Sequence, residues 1–144
     1  MIILPNMREL AQIQNAKTFE QCLGIAVPVL QREAPPIAMV CGPISSGGYE
    51  SVEKNLAAFR EYIRQVSALG LKVFSQMVYE NTFHRLKRAP YCKTGEELLE
   101  AFYAPIFQYG LIKTFYFIPR WQTSMGASWE HEQAEKLGIE INYL

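Results

Sequence analysis

The chain has 144 residues, which at about 100–200 residues per domain makes one domain able to bury a core. Lys and Arg number 14 and Asp and Glu 14, so the zero net charge gives no electrostatic reason to expect polymeric nucleic acid or an anionic membrane as partner. The longest mostly apolar stretch, residues 25–30, is far short of the roughly 20 residues of a membrane span. With no signal-peptide pattern at the N-terminus, the expectation is a cytoplasmic protein.

Residues 1–4 form an apolar run stopped by Pro5, open to two readings: a small edge strand, or a tail lying on a partner subunit. Leu10, Ile13, Ala16, Phe19 and Leu23 recur at helical spacing, so one or two helices are expected between residues 7 and 23. Gly24, Pro28 and the Pro35–Pro36 pair are expected to break any regular structure beyond Leu23. Residues 1–35 therefore read as a helical extension, with the main domain at residues 36–144.

Ile37, Ala38, Met39, Val40 and Cys41 form a continuous apolar run, the pattern of a parallel strand covered on both faces. A turn rich in glycine and serine comes next, GPISSGGYES at residues 42–51, and then a long helix with Val52, Leu56, Phe59, Ile63 and Val66 on its buried stripe. Gly47 and Gly48 lie just ahead of that helix N-terminus, where backbone N–H groups favour an anion. Gly70 ends the helix, and residues 71–74 supply a second strand. Residues 75–93 lack a clear period and hold Tyr79, Glu80, Asn81, His84, Arg85, Lys87, Arg88 and Tyr91; they read as a long polar loop, either functional or mobile. Thr94 with Glu97 makes a capping box for a helix over residues 95–107, which Pro105 must kink or shorten. After Gly110, residues 115–118 form the third core strand. A polar loop with Ser124 and Gly126 then leads into a helix from Ala127, which Gly138 caps before a fourth strand at residues 139–141.

This alternation predicts a three-layer, doubly wound α/β domain with a mostly parallel sheet of four to five strands in the order 2-1-3-4. The cleft falls at the switch point between the first and third core strands, with the GPISSGG loop facing the segment 124–130 across it. On the last helix the inward stripe runs Ala127, Glu130, Ala134 and Leu137, so a carboxylate sits on the sheet-facing side of the first turn. Helix N–H groups favour the charge there and burial opposes it, the opposed conditions of a catalytic carboxylate. The three cysteines, Cys22, Cys41 and Cys92, have no CxxC spacing and read as reduced thiols, and no spacing of ligand residues argues for a metal.

These segments resemble the nucleoside 2-deoxyribosyltransferase-like superfamily, which includes the deoxynucleoside 5′-monophosphate N-glycosidases. The opening resemblance rests on Cys41, Gly42, Ile44, Gly47 and Gly48. The closing one is an S-x-G-[AT]-x-x-E-x-x-x-A helix start at Ser124, Gly126, Ala127, Glu130 and Ala134. It covers about residues 37–143 and implies a flavodoxin-like domain in which Glu130 is the nucleophile at the anomeric carbon. It further implies that Ser124 and the loop residues Ser45, Ser46, Gly47 and Gly48 hold a 5′-phosphate or 5′-hydroxyl, with Gly42, Ile44, Tyr49 and Gly126 in the same substrate-binding set. The substrate implied is a small-molecule nucleoside or nucleotide, with no cofactor, cleaved by hydrolysis or transfer.

The chain departs from the pattern at two places. Ala104, Pro105 and Ile106 stand where the family usually has an aspartate for the base proton, and Met39 where some members have a tyrosine. A proton donor for the leaving base must then come from elsewhere, and Tyr49, Tyr79, Glu80 and His84 are the candidates. Each site residue also has a plainer reading: Ser124 as an N-cap, Gly47 and Gly48 as turn formers, His84 as a solvated residue. His131 points off the stripe, and Trp121 and Trp129 belong to a core or interface unless one stacks on a base. The rival functions are a non-catalytic nucleotide-binding module on the same fold and, more distantly, a flavin-binding protein. The N-terminal extension and the 8 Tyr, 8 Phe and 2 Trp suggest a homo-oligomer, and family members complete their sites from a neighbouring subunit.

Overall fold

The computed structural model describes residues 1–88 and 95–144. Its sheet is parallel throughout, with β1 (Ile2–Ile3), β2 (Ile37–Cys41), β3 (Val73–Phe74), β4 (Ile112–Phe117) and β5 (Glu140–Tyr143) in the order β1-β3-β2-β4-β5. The four core strands stand in the expected order, and the N-terminal apolar run resolves as a fifth strand beside β3. Two bonds fasten it: the terminal ammonium donates to the Leu71 carbonyl at 2.7 Å, and Val73 N–H donates to the Met1 carbonyl at 2.9 Å.

All five β2 residues are buried because both faces of the sheet are covered. Ala38, Val40 and Val73 meet Phe59, Ile63 and Val66 of α3 (Val52–Ala68) on one face. On the other, Ile37, Met39, Cys41, Phe74, Phe115 and Phe117 share a larger core with α1 (Met7–Gln14), α2 (Phe19–Gln31) and α7 (Met125–Leu137). Residues 1–35 are therefore part of the sheet and of its larger core: Ile3, Ile13, Phe19, Cys22, Ala26 and Leu30 are all buried in it.

Three segments differ from the expectation. First, α2 continues through Gly24 and Pro28. An interior proline costs about 3 kcal/mol, but Val29 and Leu30 alone, both 1% exposed, offset this at about 1.5–3 kcal/mol each. Second, the supposed loop after β3 is largely helical: a 3₁₀ turn at Gln76–Tyr79 runs into α4 (Glu80–Arg88). Its inward stripe is Tyr79, Thr82, Phe83 and Leu86, and the charged residues between them mask the period. Third, the helix before β4 consists of α5 (Gly95–Leu98), a π-helical turn at Leu99–Tyr103 and α6 (Ala104–Gln108). Pro105 cannot donate to the carbonyl four residues back, and the wider turn falls just upstream of it. Thr94, Cys92 and Tyr91, read above as cap, thiol and loop residues, lie outside the described residues. Leu137, assigned to the inward stripe of α7, is 44% exposed.

Tyr79 is completely buried against Phe74, Phe83 and Phe102, and its hydroxyl has no partner among the described residues. An unpaired buried hydroxyl costs about 1–3 kcal/mol. Tyr79→Phe should thus leave stability unchanged or raise it by about 1 kcal/mol in chemical denaturation; a loss larger than that would mean the hydroxyl is bonded.

Candidate active site

The site sits at the C-terminal edge of the sheet, where β2 and β4 part their connections: β2 leads by α3 to one side, and β4 is reached from the other. The loop after β2 crosses directly over the end of β4. A side chain at Gly42 would overlap that of Ile118, so only glycine lets the backbone pass there.

The second half of this loop is tied to the protein. Gly47, at φ +67°, packs against the Thr123 carbonyl closely enough that any β-carbon would clash with it. Gly48 N–H donates to Thr123 Oγ1 at 2.8 Å, and Arg120 Nη1 donates to the Gly48 carbonyl at 3.0 Å while its guanidinium lies over the Tyr49 ring at 5.1 Å. From beneath, buried Asn55 donates to the carbonyls of Ile44 and Gly47 and accepts from Tyr49 N–H at 2.7 Å. These contacts leave the first half of the loop, Ile44, Ser45 and Ser46, to line an adjoining cavity of about 810 Å³.

The opposite wall is the start of α7. Ser124 caps it, its Oγ accepting from Ala127 N–H at 3.2 Å. Gly126 contributes no side chain, and Glu130 projects one turn further along the buried face, only 7% exposed. Burial pushes the Glu130 carboxyl up to about 8; a hydrogen bond from the Cys41 thiol works against that shift, and the charge of Glu80 adds to it. Glu80, at the start of α4, is pushed up to about 7 by burial, against the pull of Lys87. Burial holds the phenol of Tyr103 well above its ordinary value, with Glu80 and Glu130 adding to the effect. The Cys41 thiol is likewise raised, by burial and then by Glu130. Two carboxyls that repel one another thus face a common space, with a neutral phenol and a neutral thiol beside them.

Of the residues singled out in the sequence, Gly42, Ile44, Ser45, Ser46, Ser124, Gly126, Glu130 and Glu80 line the cavity together. Gly47, Gly48 and Tyr49 belong to the tethered half of the loop, Tyr79 to the core, and His84 to the exposed side of α4. Trp129 borders the cavity and packs on Phe107. Trp121 stacks instead on His131 at 4.4 Å, and that imidazole bonds Tyr143 at 2.7 Å and Glu135 at 2.9 Å on the outer side of α7. Sequence reasoning missed Gln76 and Tyr103. Gln76 is hidden in a stretch without legible period, and the π turn rotates Tyr103 into the cavity from the position just before Ala104.

No family model, curated protein or solved structure matches the chain. Among the described residues no helix is long and apolar enough to cross a membrane, and no group of three His, Cys, Asp or Glu side chains is placed to hold a metal ion.

Because the folded chain keeps the Glu130 proton up to about pH 8 while an ordinary carboxyl loses it near 4.5, stability should fall as pH rises through that window. The slope approaches about 1.4 kcal/mol per pH unit for one group. Glu130→Gln should therefore melt close to the wild type at pH 5 and clearly above it at pH 8.5. Parallel melting-temperature profiles for the two proteins would show that Glu130 titrates normally.

Proposed function

We propose that the chain cleaves the N-glycosidic bond of a nucleoside or nucleoside 5′-monophosphate, with Glu130 as nucleophile and Glu80 as proton donor. The observation that carries this reading is the pair of carboxyls bordering one cavity, one of them in the first turns of a capped helix. Paired carboxyls of separated function are what glycosidic cleavage requires. The resemblance of residues 37–143 to the nucleoside 2-deoxyribosyltransferase-like proteins supports the same assignment for Glu130.

In the first step a Glu130 oxygen bonds to the anomeric carbon as the carbon–nitrogen bond breaks. The bonding pair leaves with the base, which takes the Glu80 proton. In the second, Glu80 as carboxylate accepts a proton from water, whose oxygen displaces Glu130 from the sugar; a second base in place of water gives transfer. The reactive form has Glu130 ionised and Glu80 protonated, the reverse of the order in the empty cavity, where Glu130 keeps its proton to higher pH than Glu80. Positive charge developing on the sugar stabilises that arrangement, as does the Cys41 thiol donating to Glu130. Ser45, Ser46, Ser124 and the open space at Gly126 take the 5′ end of the sugar. Trp129 offers an apolar wall.

The test is release of free base from a panel of nucleosides and 5′-monophosphates, measured by chromatography. Glu130→Ala should abolish release. Glu80→Gln should lower it by about 10²–10⁴-fold, and least for substrates whose leaving group needs no proton. Release that persists in Glu130→Ala removes Glu130 from the mechanism. The rate should rise and then fall with pH, peaking between about 7 and 8, where the pair holds a single proton; a rate flat from pH 5 to 9 would contradict the roles assigned. The rival reading, a nucleotide-binding module without turnover, is favoured by Ala104, Pro105 and Ile106 standing where the family aspartate would be. It predicts thermal stabilisation by nucleotides with no base released.

A further inference from the structure

We infer, building on the glycosidase reading, that this cavity takes an uncharged nucleoside able to donate hydrogen bonds and discriminates against the 5′-monophosphate. Glu97 apart, the charged side chains bordering it among the described residues are Glu80, Glu96, Glu100 and Glu130, with Lys87. Lys87 belongs to α4, with Glu80, and not to the loop and helix start that hold Ser45, Ser46, Ser124 and Gly126. Arg120, close in sequence to that end, is engaged by the Gly48 carbonyl and the Tyr49 ring. A phosphomonoester carries about 1.5–2 negative charges at neutral pH. It would enter a cavity already bordered by the Glu80 and Glu130 carboxyls, with no guanidinium or ammonium among the described residues at the serine end to receive it.

An independent observation concerns hydrogen-bond polarity. Gln76 borders the cavity and is 2% exposed. Its Nε2 donates to the Val40 carbonyl at 2.8 Å, which fixes the orientation of the amide, since the reversed one would set two acceptors face to face. Its Oε1 is left with no partner among the described residues. A buried acceptor without a donor is costly, and a ligand hydroxyl or amine would satisfy it. The carboxylates at Glu96 and Glu100 are acceptors as well. These acceptors are the complement of a nucleoside's hydroxyl and amino groups.

The test pairs four 2′-deoxynucleosides with their 5′-monophosphates on the full chain at low ionic strength, reading base release and thermal shift together. The expected result is at least a 10-fold preference for the nucleosides, narrowing as salt is added and narrowing at least 3-fold in the Glu96→Gln, Glu100→Gln double variant through better use of the monophosphates. Gln76→Leu should weaken nucleoside binding about 10-fold. Circular dichroism of the variant checks folding. Monophosphates bound or cleaved as well as nucleosides would overturn the inference and leave the glycosidase reading standing. Nucleosides that bind at least 10-fold more tightly than monophosphates by thermal shift, with no base released, would uphold the inference and overturn the glycosidase reading. No thermal shift with any of the compounds would overturn both.

Discussion

The burial of one carboxyl beside another governs the C-terminal edge of this sheet. Glu130 lies on the inner face of α7, between Ala127 and Ala134, both buried and both small enough for the helix to sit close to the sheet. A charge in that position loses water and recovers only part of the loss from the helix start and the Cys41 thiol. Glu80 arrives from α4 and makes ionisation harder still. The fold therefore holds a proton near neutral pH that ordinary carboxyls would have released.

The surrounding frame keeps the two carboxyls in register with the loop after β2. Thr123 and Arg120, which lie just past β4, grip Gly48, while Asn55 of α3 grips Ile44, Gly47 and Tyr49. The connections after β2 and β4 are thereby joined into one rim although they are more than 70 residues apart in sequence. The glycines at 47 and 48 serve this close approach of backbone to backbone, and the cavity receives Ile44, Ser45 and Ser46 instead. Preorganisation of this kind spares a ligand the cost of ordering the loop.

Much of this was legible in the sequence because strong local patterns agreed with the tertiary structure. The unbroken apolar run at 37–41, the glycine-rich turn and the single carboxylate on an otherwise small-residue stripe defined the central strand, the crossover and Glu130. The failures have specific causes. Pro28 read as a break because its local cost is large, and only long-range burial of α2 outweighs it. The helix at 80–88 was obscured because its inward stripe includes Thr82 and is interrupted by charged residues serving the solvent face and the cavity. Tyr103 depends on a π turn, which shifts the helical register by a residue and has no signature in composition or period. Gln76 was invisible for a different reason: a buried amide with one satisfied and one unsatisfied end is a fact of three-dimensional placement alone.

The central claim is the shared protonation of Glu80 and Glu130, and the direct measurement is a carboxyl-detected NMR titration of the protein labelled with ¹³C at glutamate side chains. The account predicts two resonances titrating well above the others, between about pH 7 and 8, of which Glu80→Gln removes one and moves the other, that of Glu130, to lower pH. A spectrum in which every glutamate titrates near 4–5, or in which the substitution removes one resonance without moving a second, would contradict it.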